Sequence, residues 1–306
     1  MREARVIDPI APGSAEWLGY MSASKVAAIV GLSSYESRYS LWQLMSGNLP
    51  PEPQTAIQAR GHYLEPAIAA WFADQHPEYA VHPGYTWTRD DHPWMLASPD
   101  RTLRARGEGS LEALLEVKTS ADDSEWGREG TAEIPAVYRP QVVWQMAVTG
   151  ARTVFVAVLT SRLEFREYVV EWDDEVAADA AFLISEADAF MDSLVFGEVP
   201  DLDEHKATYE AVKRLHPQID GEDVELPVAL AAEFVDAKQT AKDAAARERA
   251  ATTAVADAMG TAKRARCAGH TIATRQAKGT GTPYVVAGRR LPDPLQLSTS
   301  EETEAA

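Results

Sequence analysis

The sequence predicts an α/β (α+β) protein whose mixed central sheet is flanked by helices and followed by a helical arm and a β-hairpin. Helical patterns precede a run of strand-like segments, and a further helix separates the later strands, which is typical of a mixed sheet with helices on its faces. After Pro200 the composition changes to an alanine-rich, charged stretch. We therefore divide the chain into a core at 1–200, an arm with a hairpin at 201–292, and a disordered tail at 293–306.

Three helical segments open the core. Serines at 22 and 24 precede the short helix KVAAIV, which Gly31 ends. A second helix is predicted from Arg38 to Ser46, before Gly47. The third begins near Gly61 and runs through LEPAIAAWFADQH, where apolar residues recur at helical spacing.

Five strand-like runs follow, divided by turn-forming Gly, Pro and Asp residues, at 85–88, 94–98, 113–117, 154–159 and 165–172. The segment PAVYRPQVVWQMAVTG predicts a helix between the third and fourth runs, and Asp173-Asp174 begins another that reaches Phe196. These alternations predict one sheet with a crossover helix.

The arm is predicted from Val228 to Met259, which contains neither Gly nor Pro. As a helix it would be roughly 50 Å long at about 1.5 Å per residue. The segments GHTIAT and YVVA, separated by KGTGTP, predict the hairpin.

Composition excludes several classes of protein. The single cysteine, Cys267, excludes intramolecular disulfides and Cys-based zinc or iron–sulfur sites. No apolar run approaches the roughly 18 residues of a membrane span. The N-terminal residues lack the apolar segment of a secretory signal. We expect a soluble, cytoplasmic protein with no membrane partner.

Charge is unevenly distributed. The formal net charge of −18 disfavours a nucleic-acid partner at first sight, but 261–290 holds seven Lys or Arg residues and no Asp or Glu. This basic segment has two interpretations: it follows a DNA backbone, or it docks on the acidic region 171–204 of another subunit. We expect DNA contact. The side chains predicted to make it are Lys263, Arg264, Arg275 and Lys278.

Two acidic positions and a lysine mark the ends of neighbouring strand-like runs. Asp100 follows Pro99, and Glu116-Val117-Lys118 ends the next run. Glu116 and Lys118 lie on one face of a strand, because side chains alternate. Carboxylate oxygens suit Mg²⁺, and a neighbouring lysine can orient or activate water. The set predicts metal-assisted hydrolysis of a phosphodiester.

Pro99-Asp100, fifteen intervening residues and Glu116-Val117-Lys118 have the spacing of the PD-(D/E)xK nucleases. Three further motifs occur with them: RGHYLEP from Arg60, YRPQ from Tyr138, and SAS from Ser22 with GLSSY after it. In this order they resemble the YqaJ-like viral recombinase family and, more distantly, the lambda-type exonucleases, over about residues 14–200.

The resemblance implies a restriction-endonuclease-like core and Mg²⁺-dependent 5′–3′ digestion of linear duplex DNA, with Mn²⁺ able to substitute. The products would be 3′ single-stranded overhangs for an annealing partner in phage-type recombination, made by a ring-like homo-oligomer in the bacterial host. By position, it implies metal ligation by Glu65, Asp100, Glu116 and the Val117 carbonyl. It also makes Lys118 the catalytic lysine and Gln141 its supporting residue.

Contacts to the DNA end are less settled by the resemblance. Ser24 matches a serine near the 5′ phosphate, although it is equally suited to cap a helix. The family's arginine before Leu-Gly is replaced here by Trp17. Lys25, Arg38 and Arg60 are the candidate substitutes, and spacing does not choose among them.

Two alternatives to an exonuclease remain: a DNA-binding recombination accessory with an inactive site, and a PD-(D/E)xK endonuclease. Gln145 also has two interpretations. It stands four residues after Gln141 on one helix face, where it either joins the site or forms the polar flank of an amphipathic helix.

Overall fold

The structure is a computed structural model that describes residues 4–107 and 110–298. The chain forms two compact units, Met1–Gln218 and Ile219–Ala306. The division falls after Gln218 and not after 200, because a helix at Lys206–Leu215 buries Ala211 against Tyr39 and Leu49 of the first unit. Of the predicted disordered tail, 294–298 form a short helix, and 299–306 lie outside the described residues.

The strands of the first unit are β1 (Ala4–Ile7), β2 (Met21–Ser22), β3 (Tyr79–Pro83), β4 (Thr86–Arg89), β5 (Met95–Leu96), β6 (Arg101–Ala105), β7 (Ala113–Thr119), β8 (Thr153–Leu159) and β9 (Phe165–Glu171). Its helices are α1 (Ala15–Leu18), α2 (Val26–Ile29), α3 (Arg38–Met45), α4 (Ala56–Gln75), α5 (Arg139–Thr149), α6 (Asp174–Phe196) and α7 (Lys206–Leu215).

The central sheet has five strands in the order β3-β6-β7-β8-β9. β7 and β8 are parallel, and the other pairs are antiparallel. α5 provides the crossover between the parallel strands, as parallel pairing requires. β1 pairs with β4, and β2 with β5, outside this sheet. The predicted class, a mixed sheet flanked by helices, is confirmed.

Four strands of the first unit, β1, β2, β3 and β6, were not predicted from the sequence. β6 is RTLRA, in which arginines interrupt the apolar run, yet Thr102 and Leu103 are fully buried between β3 and β7. The strand conformation of such a segment is determined by pairing with its neighbouring strands and not by its own local propensity. α4 also begins earlier than expected, because Thr55 and Gln58 form a capping box ahead of Gly61.

The core lies on both faces of the sheet. On one face, α4 packs Ile68 and Phe72 against Leu115 of β7. On the other face, α5 and α6 cover a larger cluster that contains Leu114 and Val156. Because side chains alternate along β7, Glu116 and Lys118 share the Leu114 face, next to α5.

The second unit contains α8 (Val228–Met259), α9 (Pro294–Ser298) and a sheet of β10 (Arg264–Cys267), β11 (His270–Gln276) and β12 (Tyr284–Ala287). The predicted hairpin is β11–β12, and β10 adds a third antiparallel strand. Within the described ranges, no helix combines the length and apolar character needed to cross a membrane.

Candidate active site

The ends of β6 and β7 bring Asp100 and Glu116 together. Arg101, the first residue of β6, is paired with Leu115 across the two strands, so Asp100 just before β6 lies beside the Glu116-Val117 backbone. Asp100 Oδ2 accepts a hydrogen bond of 2.6 Å from the Val117 backbone N–H. The sheet register therefore fixes the orientation of the Asp100 carboxylate.

The turn before β4 supports this position through Gly84. A Cβ added to Gly84 would lie 1.5 Å from the Pro99 carbonyl oxygen. Only glycine allows the chain to pass so close to the Pro99-Asp100 peptide. The Pro99-Asp100 pair is thus positioned by the backbone at Gly84 on one side and by β7 on the other.

Both carboxylate oxygens of Glu116 are hydrogen-bonded, and the residue is only 3% exposed. Lys118 Nζ and Gln141 Nε2 donate to Oε1 over 2.6 and 2.5 Å. Gln145 Nε2 donates to Oε2 over 2.8 Å. Lys118 Nζ also donates to Gln141 Oε1 over 3.1 Å, which closes the network.

The site combines the buried Glu116 carboxylate, which is paired with the Lys118 ammonium group, with the half-buried Asp100 carboxylate next to it. Burial, and then the neighbouring Glu116 carboxylate, raise the pKa of Asp100 well above its ordinary value. Burial alone would lower the pKa of Lys118, but Glu116 and Asp100 outweigh it and raise that pKa. Lys118 therefore stays protonated, and the two carboxylates favour the binding of additional positive charge.

Tyr138 limits the movement of this cation. Lys118 Nζ lies 4.9 Å from the centre of the Tyr138 ring, which is within the range of a cation–π contact. Burial raises the pKa of the Tyr138 hydroxyl, so the ring stays neutral at physiological pH. Tyr138 positions Lys118.

Glu65, the third predicted acidic residue, faces another partner. Arg101 donates from one guanidinium nitrogen to Glu65 Oε1 and to the Asp100 carbonyl oxygen, each over 2.6 Å. Within the described residues, no group of three or more His, Cys, Asp or Glu converges on a metal position. The donor set that fits Mg²⁺ is the carboxylate pair of Asp100 and Glu116, since Mg²⁺ commonly uses one or two carboxylates and keeps waters.

The structure removes Lys25 from the predicted DNA contacts. Lys25 is 2% exposed, and its ammonium group donates to the carbonyl oxygens of Trp17 and Tyr20 over 2.8 and 2.6 Å. The group also lies 3.6 Å from the centre of the Trp17 ring. Burial lowers its pKa to about 7, against the opposing effect of Glu36. Lys25 thus holds the α1–β2 turn and does not face solvent.

The other predicted DNA contacts of the first unit differ in availability. Ser24 is exposed, with its hydroxyl 3.1 Å from that of Ser22, and it caps no helix. Arg38 is committed to Glu186 over 2.7 Å and to the Ile29 carbonyl. Arg60 is exposed on α4.

In the second unit, the basic side chains predicted to contact DNA are accessible. Lys263, Arg264 and Lys278 are exposed, and Arg275 is half-buried. Across the described part of the chain, none of the seven Lys and Arg residues of 261–290 forms an ion pair. Their charge is therefore not neutralised by nearby carboxylates.

Three residues of this site, Gln145, Arg101 and Tyr138, were not assigned from the sequence. Gln145 was left between two interpretations, and its contact with Glu116 places it in the site; its spacing from Gln141 was the available signal. Arg101 had no signal beyond its position next to Asp100. Its role depends on α4, which is distant in the sequence.

Comparison with known proteins gives one family. Residues 16–152 match the family model described as the YqaJ-like viral recombinase domain, which confirms the predicted resemblance. The chain has no match among curated proteins.

Solved structures similar to the chain include an alkaline exonuclease (LHK-Exo) from Laribacter hongkongensis, with 20% identity, a TM-score of 0.42 and coverage of 60% of this chain and 97% of that one. LHK-Exo in complex with dAMP has 20% identity, a TM-score of 0.45 and coverage of 66% and 96%. A phage-related exonuclease from Haemophilus somnus 129PT has 11% identity, a TM-score of 0.43 and coverage of 58% and 96%.

Proposed function

We propose, for a chain that contains a YqaJ-like viral recombinase domain over residues 16–152, the activity of a Mg²⁺-dependent exonuclease on duplex DNA. In this proposal the enzyme removes nucleotides in the 5′ to 3′ direction and leaves 3′ single-stranded overhangs for an annealing protein. It would act in the cytoplasm of a bacterial host, where a ring-like homo-oligomer could enclose the duplex.

The observation that carries the proposal is the buried Glu116 carboxylate. Its two oxygens are held by Lys118, Gln141 and Gln145, and Asp100 lies beside it with a raised pKa. A half-buried Asp100 carboxylate with no ion-pair partner among the described residues is costly next to the buried Glu116 unless a further cation compensates it, so a purely structural role explains the arrangement poorly.

A divalent cation would be held by Asp100, Glu116 and the Val117 carbonyl. When bound there, Mg²⁺ would supply Lewis-acid polarisation of the phosphodiester. Mn²⁺ prefers the same oxygen ligands and should substitute. The side chains of the protein position the reacting groups. Lys118 orients the attacking water, and Gln141 and Tyr138 keep the Lys118 ammonium group in place.

DNA contacts are proposed for two regions. Ser24 and Arg60 are the exposed candidates in the first unit, and Arg38 could contribute only by giving up part of its ion pair. In the second unit the accessible basic side chains of 261–290 suit a phosphate backbone, where binding requires charge and not sequence.

The test is digestion of linear duplex DNA labelled at either the 5′ or the 3′ end, with Mg²⁺ or with EDTA, beside the Lys118→Ala variant. We expect Mg²⁺-dependent release of the 5′ label that is lost in the variant. Shortened fragments that still carry the label, from both the 5′-labelled and the 3′-labelled DNA, would indicate an endonuclease. DNA that is bound but left intact would indicate an accessory protein.

A further inference from the structure

Arg101 connects two of the predicted metal-ligating residues. It is the first residue of β6, and a single guanidinium nitrogen donates to both the Glu65 carboxylate and the Asp100 carbonyl, each over 2.6 Å. The Arg101 and Glu65 side chains are 22% and 28% exposed, so solvent only partly screens the ion pair.

The charges around the site can be counted by partner. Glu65 is paired with Arg101, and Glu116 is paired with Lys118. In the described part of the chain, Asp100 has no cation within ion-pair distance. The cluster therefore lacks one counter-charge, and that deficit is centred on Asp100.

Resting on the proposed metal-dependent function, we propose that Arg101 takes the place of a second cation, so that the site binds a single divalent metal ion per chain. In this assignment Asp100 and Glu116 hold the metal. Glu65 positions Arg101 and is not a ligand, which departs from the role implied by the family resemblance.

The reason is the cost of the alternative. For Glu65 to bind a metal it must leave a half-buried ion pair and strand a guanidinium group that cannot lose its proton. The released Arg101 would then repel the incoming cation in a region of low effective dielectric constant. A second metal ion therefore competes directly with Arg101.

The test is a Mn²⁺ titration of the full chain without DNA, with free Mn²⁺ followed by electron paramagnetic resonance. We expect one Mn²⁺ per chain for the wild type. Glu65→Gln should retain that ion with a loss of affinity of no more than about 10- to 100-fold, the range typical of removing an indirect support. Asp100→Asn removes a ligand and should weaken binding by more than that range.

Arg101→Gln should gain a second Mn²⁺, because it frees Glu65, and the double variant Arg101→Gln/Glu65→Gln should return to one. Arg101→Lys keeps the charge and should bind one. The matched control is Arg166→Gln, which breaks a 2.7 Å ion pair with Glu164 elsewhere on the sheet and should bind one. Circular dichroism verifies that each variant is folded.

Two Mn²⁺ ions on the wild type, or loss of the ion in Glu65→Gln, would overturn the assignment while leaving the nuclease proposal intact. A folded Arg101→Gln variant that still binds one ion would overturn it as well. A wild type that binds no Mn²⁺ at all would remove the metal-dependent function itself, and the end-label digestion would report that failure independently.

Discussion

Gln145 donates a hydrogen bond of 2.8 Å from Nε2 to Oε2 of Glu116, and both residues are buried. The other amide atom of Gln145, Oε1, is buried without a hydrogen-bond partner in the described structure. A buried polar atom without a hydrogen-bond partner lowers the stability of the fold, and such an atom is retained where the same side chain makes a functional contact. Here that end holds the carboxylate proposed to bind metal.

Replacing Gln145 with Leu should therefore impair both stability and metal binding. It leaves Glu116 Oε2 buried and unpaired, which should lower the free energy of unfolding by about 1–3 kcal/mol. Loss of this support should weaken Mn²⁺ binding by about 10- to 100-fold. Urea unfolding and Mn²⁺ titration measure the two effects.

The control for this variant is Gln43→Leu. Gln43 is also buried, and it accepts a 2.8 Å hydrogen bond from Asn48, remote from the strand ends. It should lose stability but keep its Mn²⁺ affinity. If both variants bind Mn²⁺ like the wild type, Gln145 has no part in holding Glu116.

Asp100→Asn should stabilise the metal-free protein while abolishing nuclease activity. Because the folded-state pKa of Asp100 is raised above its ordinary 3.8, the folded state holds that proton more tightly than the unfolded chain does. Stability is therefore lost as the pH rises from about 3.8 through the raised pKa, and asparagine removes this cost. Its side-chain oxygen can still accept from the Val117 N–H.

Thermal unfolding in EDTA should show the Asn variant melting a few degrees higher than the wild type, since about 1 kcal/mol corresponds to about 2–4 °C at this size. Added Mg²⁺ should narrow the gap by binding only the wild type tightly. Asp123→Asn serves as the control, because hydrogen bonds from Ser161 lower the pKa of that carboxyl despite its partial desolvation. A lower Tm for Asp100→Asn in EDTA would contradict the electrostatic interpretation.

His76 should make the stability of the first unit depend on pH near neutrality. Its ring lies between Glu78 and Glu167, at 2.8 and 2.7 Å, and stacks on Phe72. Burial alone would lower the pKa of His76, but the two carboxylates outweigh it and raise the pKa. The stabilisation is thus complete below about 6.5 and is lost as the pH rises through the folded-state pKa.

The Tm should accordingly fall as the pH rises above about 6.5, the ordinary histidine pKa. His76→Gln should remove this step, whereas His62→Gln, at an exposed site on α4, should keep it. An identical Tm profile for His76→Gln and the wild type would show that the ion pairs do not form in solution.

Charge reversal in the basic segment should weaken DNA binding regardless of sequence. We expect the variant Lys263→Glu/Arg264→Glu/Lys278→Glu to bind duplex DNA less tightly in EDTA. Its slope of log K against log salt should be shallower by about 0.9 for each phosphate that the variant no longer neutralises. Fluorescence anisotropy at several salt concentrations measures both.

The control reverses Lys238 and Lys242 on α8 of the same unit and should change the slope little. Light scattering on the same variants addresses the competing interpretation, docking on 171–204 of another subunit. A change of oligomeric state with unchanged DNA affinity would support docking and contradict DNA contact.

The elements that sequence predicted well are those with strong local signals. α8 begins and ends at the predicted residues, because an unbroken alanine-rich run ends at Gly260. α5 ends before Gly150, which adopts the left-handed conformation expected of a helix end. β6 was missed because its burial comes from β3 and β7, which local periodicity does not reveal.

By itself, the sequence determined the class of fold and the resemblance to the YqaJ-like viral recombinase family. It also placed Glu116 and Lys118 on one face of β7, because side chains alternate along a strand. Only the tertiary structure decided which partners those residues have. It buried Lys25 under Trp17, turned Glu65 towards Arg101 and brought Gln145 to Glu116. A side chain's partner depends on register and helix packing between distant segments, and these are set by the whole core.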